Sequence, residues 1–284
     1  MSIFNKKDKA VNPMADFEEA FINKKEKQNP VVKAGSIVLY ITLILAVFAC
    51  IFMAVLDKTG VAPSPLPEKD KTADKAETVD VSSHPQSLQK LYSENFETAD
   101  FVASYFKEKD KERKVSLRKY KRSRSVPLFI QWDKQWGYMQ YGEDIVGVNG
   151  DALMCLAMAG YHLTKDEKFS PDKIVAFSKE NGYYEPGTGT LPAIMTDGAS
   201  KLGLISEQIK PEKQIISQSM NEGKTVICLM KKGPLSSSSH YIVLRQFEEN
   251  ILFINDPTSV VNSEKEWNFD EVVSEIKCVW ALSQ

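Results

Sequence analysis

The sequence predicts an α+β domain, a helical half followed by an antiparallel sheet, behind one N-terminal transmembrane helix. Three observations carry this expectation. Residues 34–56 form an apolar run of 23 without a charge. Helix-period patterns crowd the middle of the chain, and short β-rich runs split by turn residues close it. Helical signals that precede strand signals give segregated halves rather than alternating βαβ units.

The apolar run, Ala34 to Leu56, fixes the layout. A helix rising ~1.5 Å per residue needs ~20 residues to cross a hydrocarbon core of ~30 Å. A signal peptide would carry an apolar region of only ~7–15 residues, ending in small residues at a cleavage site. Here 33 residues precede the run, and bulky Phe48 with six apolar residues after Cys50 excludes a lipoprotein signal there. Within 15 residues of its ends lie four lysines before (Lys24, Lys25, Lys27, Lys33) and three after (Lys58, Lys69, Lys71). That small excess votes for a cytoplasmic N-terminus. The chain is therefore expected to be a single-pass cell-membrane protein. Residues 1–33 form a short cytoplasmic tail, and 57–83, with Pro63, Pro65 and Pro67, a stalk holding an extracytoplasmic domain off the surface.

Residues 84–125 read as a helical lead-in, two helices meeting near Asn95–Ala99 with Asn95 and Thr98 as caps. Its last part, 111–124, carries eight basic residues against Glu112. Two readings stand: contact with an anionic polymer or lipid headgroups, or a solvated connector. Residues 126–284 make the domain proper. Helices are expected over Asp151–Gly160, Ser170–Asn181 and Leu191–Leu202, the last stopped by Gly203. Strands are expected over Thr225–Met230, His240–Phe247, Asn250–Asn255 and Ile276–Leu282.

A formal net charge of −2 gives no bulk attraction for nucleic acid or for an anionic membrane, and no nucleic-acid partner is expected. The four cysteines, at 50, 155, 228 and 278, have neither metal-ligand spacing nor a paired framework. The last three read as buried free thiols. Trp132 and Trp136 read as core anchors before ligand platforms, and His84 and His162 have no informative context.

Four stretches together resemble the double-glycine-leader (bacteriocin-processing) peptidase-like family, a branch of the papain-like cysteine peptidases. The first runs from Pro127 through Gln131, Trp132, Asp133, Trp136, Gly137 and Tyr138 to Tyr141 and Gly142. The second joins Gly187–Thr190 to Ile194–Ala199 and Leu202–Leu204. The third is Lys232-Gly233-Pro234, a serine run, and then His240–Leu244. The fourth is Phe253–Pro257, with Asn255 and Asp256. Residues 95–102 also look like the lead-in of clostridial membrane-anchored members. The resemblance covers roughly 84–284. It implies a papain-like fold, with Gln131 as oxyanion donor, His240 as base and Asp256 as the group that orients it.

The departure lies at the nucleophile. The family places a cysteine at a helix start, whereas the ungapped counterpart, residues 147–158, puts Asp151 there; a looser alignment gives Asn149. A thiolate attacks a carbonyl, a histidine holds the thiolate, and donors stabilise the oxyanion. An aspartate is a poor nucleophile toward an amide and leaves readily from the anhydride it would form. Asp151 instead suits a helix N-cap, or an ion pair with protonated His240. Cys155, one turn deeper, and a metal or water held by Asp151, His240 and Asp256 are the routes back to hydrolysis. No cofactor is expected. The resemblance thus implies a catalytically inactive domain that binds a peptide or protein partner in a relict cleft, against an active peptidase or amidase, or an interaction protein whose cleft is vestigial.

Overall fold

A computed structural model describes residues 79–284 except Ser236. The tail, the 34–56 run, Cys50 and most of the stalk lie outside the described residues. Among the described residues no helix is long and apolar enough to cross a membrane.

The helical half comprises α1 (Gln86–Glu94), α2 (Ala99–Ala103), α3 (Asp151–Thr164) and α4 (Pro171–Glu180). The second half follows as β1 (Ile205–Ile209), α5 (Lys213–Asn221), β2 (Thr225–Met230), β3 (Tyr241–Glu248) and β4 (Ile251–Asn255). It closes with α6 (Val260–Glu264), β5 (Trp267–Asn268), α7 (Phe269–Ser274) and β6 (Ile276–Ser283). The six strands form one antiparallel sheet in the order β1-β6-β2-β3-β4-β5. The expected α+β architecture is present.

α3 organises the helical half. Residues Ala152 to Tyr161 are all buried, so the helix is apolar around its whole circumference rather than along one stripe. One cluster joins α3 to Phe129, Trp136 and Phe169, and to Ile227, Tyr241, Val243 and Trp280 on the near face of the sheet. The far face carries Val226, Cys228, Ile242, Leu244 and Val279, covered by Ile216 of α5 and Phe269 and Val272 of α7. Alternation along β2 and the first half of β3 sends neighbouring side chains into opposite clusters, which is why Thr225–Met230 and Tyr241–Leu244 read as continuous apolar runs.

The lead-in packs on this body. Phe101 of α2 stacks on Tyr138 with centroids 4.3 Å apart, and the Tyr138 hydroxyl donates to the Phe101 carbonyl at 2.6 Å. A Cβ at Gly137 or Gly147 would meet the Phe101 ring at 2.8 or 2.5 Å, so both glycines are needed to seat it. Asn95 separates α1 from α2 as expected, its side chain accepting from Glu97 N. Thr98 differs: it makes no cap, and its hydroxyl donates to Leu91 and Asn95 carbonyls.

Two further expectations are corrected. Leu191–Leu202 is not one helix but a 3-10 turn, Pro192–Met195, and a short helix, Asp197–Lys201, broken at Thr196 with φ −114° and ψ −78°. Cys278 is half-buried, whereas Cys155 and Cys228 are buried, all three free.

Gly160 sits within α3 where an alanine Cβ would come 2.0 Å from the buried Phe169 ring. Alanine would gain ~1 kcal/mol in helix propensity. Overpacking a closed core costs ~1–3 kcal/mol. Gly160→Ala is therefore expected to lower the urea midpoint, and adding Phe169→Leu to recover part of the loss. A more stable single variant would show that α3 and Phe169 are not in contact.

Candidate functional site

The turn Val146–Asn149 and Gly150 deliver the chain to the start of α3. Gly150 holds the cap position, so Asp151 is the first helical residue and not the N-cap. Its carboxylate instead crosses to the sheet, where the Tyr241 N–H at the start of β3 donates to Asp151 Oδ2 at 2.9 Å. Burial pushes the Asp151 carboxyl up; the Tyr241 N–H, the His240 charge and the Ala152 N–H oppose this without reversing it.

His240 precedes β3, and its carbonyl accepts from Met230 N at 2.8 Å, which ties it to β2. Its Nε2 lies 3.2 Å from Asp256 Oδ2. The other ring nitrogen, Nδ1, is buried without a hydrogen-bond partner of ordinary geometry. Burial works against the charged ring, but the hydrogen bond and charge of Asp256, with the charge of Asp151, raise it above the usual histidine value. The ion pair expected between Asp151 and His240 is thus not the one formed. Asp256 takes the imidazole, and Asp151 acts on it through its charge alone.

Asp256, at the end of β4, is fully buried. Its Oδ1 accepts from Thr258 N at 2.8 Å and Thr258 Oγ1 at 2.7 Å. Its Oδ2 accepts from Asn262 Nδ2 at 2.7 Å besides the histidine. Desolvation would raise this carboxyl, but these donors hold it below the ordinary carboxylate range.

Gln131 is positioned by its backbone N–H, which donates to Pro257 O at 2.8 Å. Its side-chain Nε2 donates to Gly147 O at 3.1 Å, and Oε1 is buried without a partner. The amide therefore lies against the turn that feeds α3, one N–H already committed. Cys155 is fully buried, and burial pushes its thiol well up, the negative charges of Asp151 and Asp256 adding to the effect. Among the described residues no group of three or more His, Cys, Asp or Glu is arranged to hold a metal ion.

Gln131, Asp151 and His240 line one cleft of about 1080 Å³, with Asn149 and Tyr241. The opposite wall is the lead-in: Leu91, Asn95, Phe96 and Glu97 border the same cleft, as do Thr258 and Val261. Sequence reasoning missed three contributors to the site, Glu97, Thr258 and Asn262. The Glu97 carboxylate accepts from Val260 N at 2.7 Å, from Val261 N at 3.3 Å and from the Ser259 hydroxyl, so it caps α6 from the lead-in. Trp132 is half-buried, its indole N–H donating to Thr258 O at 3.2 Å, and Trp136 is a core residue.

No family model matches the chain, and no curated protein matches it. Solved structures similar to it include the peptidase domain of Streptococcus ComA, a bifunctional ABC transporter involved in a quorum-sensing pathway. That likeness has 19% identity and a TM-score of 0.41, covering 56% of this chain and 98% of that one. A C39-like peptidase from Bacillus anthracis is also similar, at 13% identity and a TM-score of 0.38, over 56% of this chain and 94% of that one. Neither likeness is close enough to give this chain an activity.

The shifts at His240 and Asp256 set a pH dependence. The His240 value is raised above 6.5, so its contribution is fully present below pH 6.5 and is lost as pH climbs through the folded value. The Asp256 value is lowered below 3.8, so its contribution holds above pH 3.8 and is lost on acidification through the folded value. The stability advantage of the wild type over His240→Gln should be greatest between these limits and shrink toward alkaline pH. Urea midpoints across the range measure it. An advantage that grows with pH would mean the ring is held neutral.

Proposed function

We propose that residues 84–284 are a papain-like peptidase domain that has lost its nucleophile and binds a peptide or protein segment without cutting it, tethered outside a membrane by residues 34–56. One observation carries the reading. The group facing His240 from the first turn of α3 is a carboxylate, and that carboxylate is spent on the Tyr241 N–H that joins the two halves. The pairing of His240 Nε2 with Asp256 suits a base and its orienter, and Asp151 does not bond to the ring. Cys155, the one nearby thiol able to substitute, is enclosed in the core and held protonated, which weighs against a re-registered nucleophile.

Binding without cleavage suits the cleft itself. A trough of about 1080 Å³ is long enough for several extended residues. Two of the few exposed large apolar side chains, Phe96 and Val261, border it and offer contacts for the side chains of an extended ligand. The resemblance to the double-glycine-leader family suggests a peptide bearing a Gly-Gly pair as the first ligand to try.

The full chain in detergent, mixed with fluorogenic peptides that include a Gly-Gly pair, is expected to bind saturably and release no product. Cleavage that scales with protein and disappears in His240→Ala would overturn the reading. Restoring a thiol with Asp151→Cys provides a positive test of geometry. The introduced thiol should be alkylated by iodoacetamide at neutral pH roughly tenfold or more faster than a free thiol, as expected where a neighbouring imidazolium lowers its pKa. Cys155 and Cys228 should react only after unfolding. Slow alkylation of the introduced thiol in a folded Asp151→Cys variant would mean that His240 does not face this position.

A further inference from the structure

The basic stretch that follows the lead-in is not a loose connector. Leu117 and Val126 are buried in the core cluster around α3, and Val115 and Tyr120 pack against it. The Tyr120 hydroxyl donates to Leu128 O at 3.0 Å, and its ring meets Phe129 edge-on with centroids 5.2 Å apart. Apolar residues thus pin the strap to the body at several points, and the charged residues between them stay outside. Lys111 and Arg113, at the start, are paired with Glu108. The six cations beyond, Lys114, Arg118, Lys119, Lys121, Arg122 and Arg124, are all exposed, have no acid among them in sequence, and form no ion pair among the described residues.

The neighbouring surface adds to the field. Lys165 Nζ donates to Ser123 O at 2.9 Å, bringing a further cation onto the strap. Lys173 shares a groove with Lys114 and Arg118; Glu112, Glu167 and Asp172 border that groove too, so the positive field is strongest toward 118–124. A chain of net charge −2 therefore concentrates exposed positive charge on one strap, where Lys119 also lies over the Tyr120 ring and feels the charge of Asp133. Such an array repels itself unless a counter-charge covers it, which suits a surface of repeated phosphates.

We propose that the 114–124 strap docks on the anionic headgroups of the bilayer that anchors the chain, a second point of attachment that fixes how the domain stands on the membrane. The choice of lipid over soluble polyanion rests on reach. Only 22 residues, 57–78, separate the apolar run from the described domain, a contour of at most roughly 75 Å, so headgroups are the phosphate array the strap meets at highest effective concentration. This step rests on the anchor reading and is independent of whether the cleft is inactive.

The test is lysine acetylation of the full chain, read by mass spectrometry, with vesicles of phosphatidylcholine alone or of phosphatidylcholine with phosphatidylglycerol. Lys210, Lys231 and Lys265, on other parts of the surface, serve as internal references. Docking predicts that Lys114, Lys119 and Lys121 lose roughly fivefold or more in labelling only with the anionic vesicles, as expected for one engaged cation per site. The references should stay unchanged, and Arg118→Gln/Arg122→Gln/Arg124→Gln should restore labelling. Equal labelling in both vesicles overturns the proposal. So does equal protection by soluble inorganic polyphosphate beside zwitterionic vesicles, which would make the ligand a free polyanion. Alkaline carbonate extraction of the same vesicles reports the anchor separately, so a failed anchor and a failed strap are told apart.

Discussion

The described domain depends most on how it keeps a negative charge at Asp256 in a fully buried place. An isolated buried carboxylate costs several kcal/mol, so either the site loses its charge or the fold surrounds it with donors. Here four donors reach its two oxygens, from Thr258 backbone and side chain, Asn262 and His240. Each donor imposes a condition on a different part of the chain. Thr258 requires the tight turn after β4. Asn262 requires α6 to start where it does, and that start is fixed by the Ser259 side chain accepting from Asn262 N and by Glu97 from the lead-in. His240 requires the loop before β3 to end in register with β2. The lead-in, α6 and the central strands are thus coupled through one carboxylate.

Asp151 and Asp256 illustrate how environment separates two chemically identical groups. Both are buried, yet burial prevails at Asp151 and raises its carboxyl, whereas donors prevail at Asp256 and lower it. The hydrogen bond and charge of His240, joined by the other donors, decide the difference. Asp256 has four, while Asp151 has the Tyr241 N–H and a weaker influence from its own helix. A carboxylate at 151 keeps what a thiolate would give electrostatically, a negative group near a charged imidazole at a helix start. It also does something a thiolate does less well, accepting a strong backbone hydrogen bond that fastens α3 to β3. Asp151 is thereby a strut between the two halves.

Two-residue β5 aside, the strands that follow residue 224 were legible, because β2 is an unbroken apolar run and β3, β4 and β6 each carry an apolar, β-branched stretch. The edge strand β1 was not. Its sequence, Ile205–Ile209, is mostly exposed, with Glu207 and Gln208 outward, and such a run has no apolar signature. The helices α5 and α7 were missed for a related reason, since each offers a narrow apolar stripe amid polar residues. Of the site, Gln131, Asp151 and His240 were named through the family resemblance, and they do share the cleft. Asp256 is buried behind it. Glu97, Thr258 and Asn262 could not be read from pattern, because their roles come from pairing across the fold: Glu97 caps a helix 163 residues later. No local pattern encodes that partnership. Asp151 was read as a cap because helix-start chemistry favours it there, but the competing donor, the Tyr241 N–H, comes from 90 residues away.

The lead-in links these levels. It borders the cleft through Leu91, Asn95, Phe96 and Glu97, holds α6 through Glu97, and runs directly into the basic strap. Its seat on the body joins Leu88, Phe101 and Val102 to Tyr138 and Ile145, with Phe101 against Gly137 and Gly147 and Lys134 paired to Asp100 at 2.6 Å. The cleft wall and the strap are therefore parts of one continuous segment, pinned between Phe101 and Val126. The two ends of that segment are held independently: Leu117 and Val126 seat the strap in the core around α3, whereas Glu97 ties the cleft wall to α6 and, through Asn262, to the donors of Asp256.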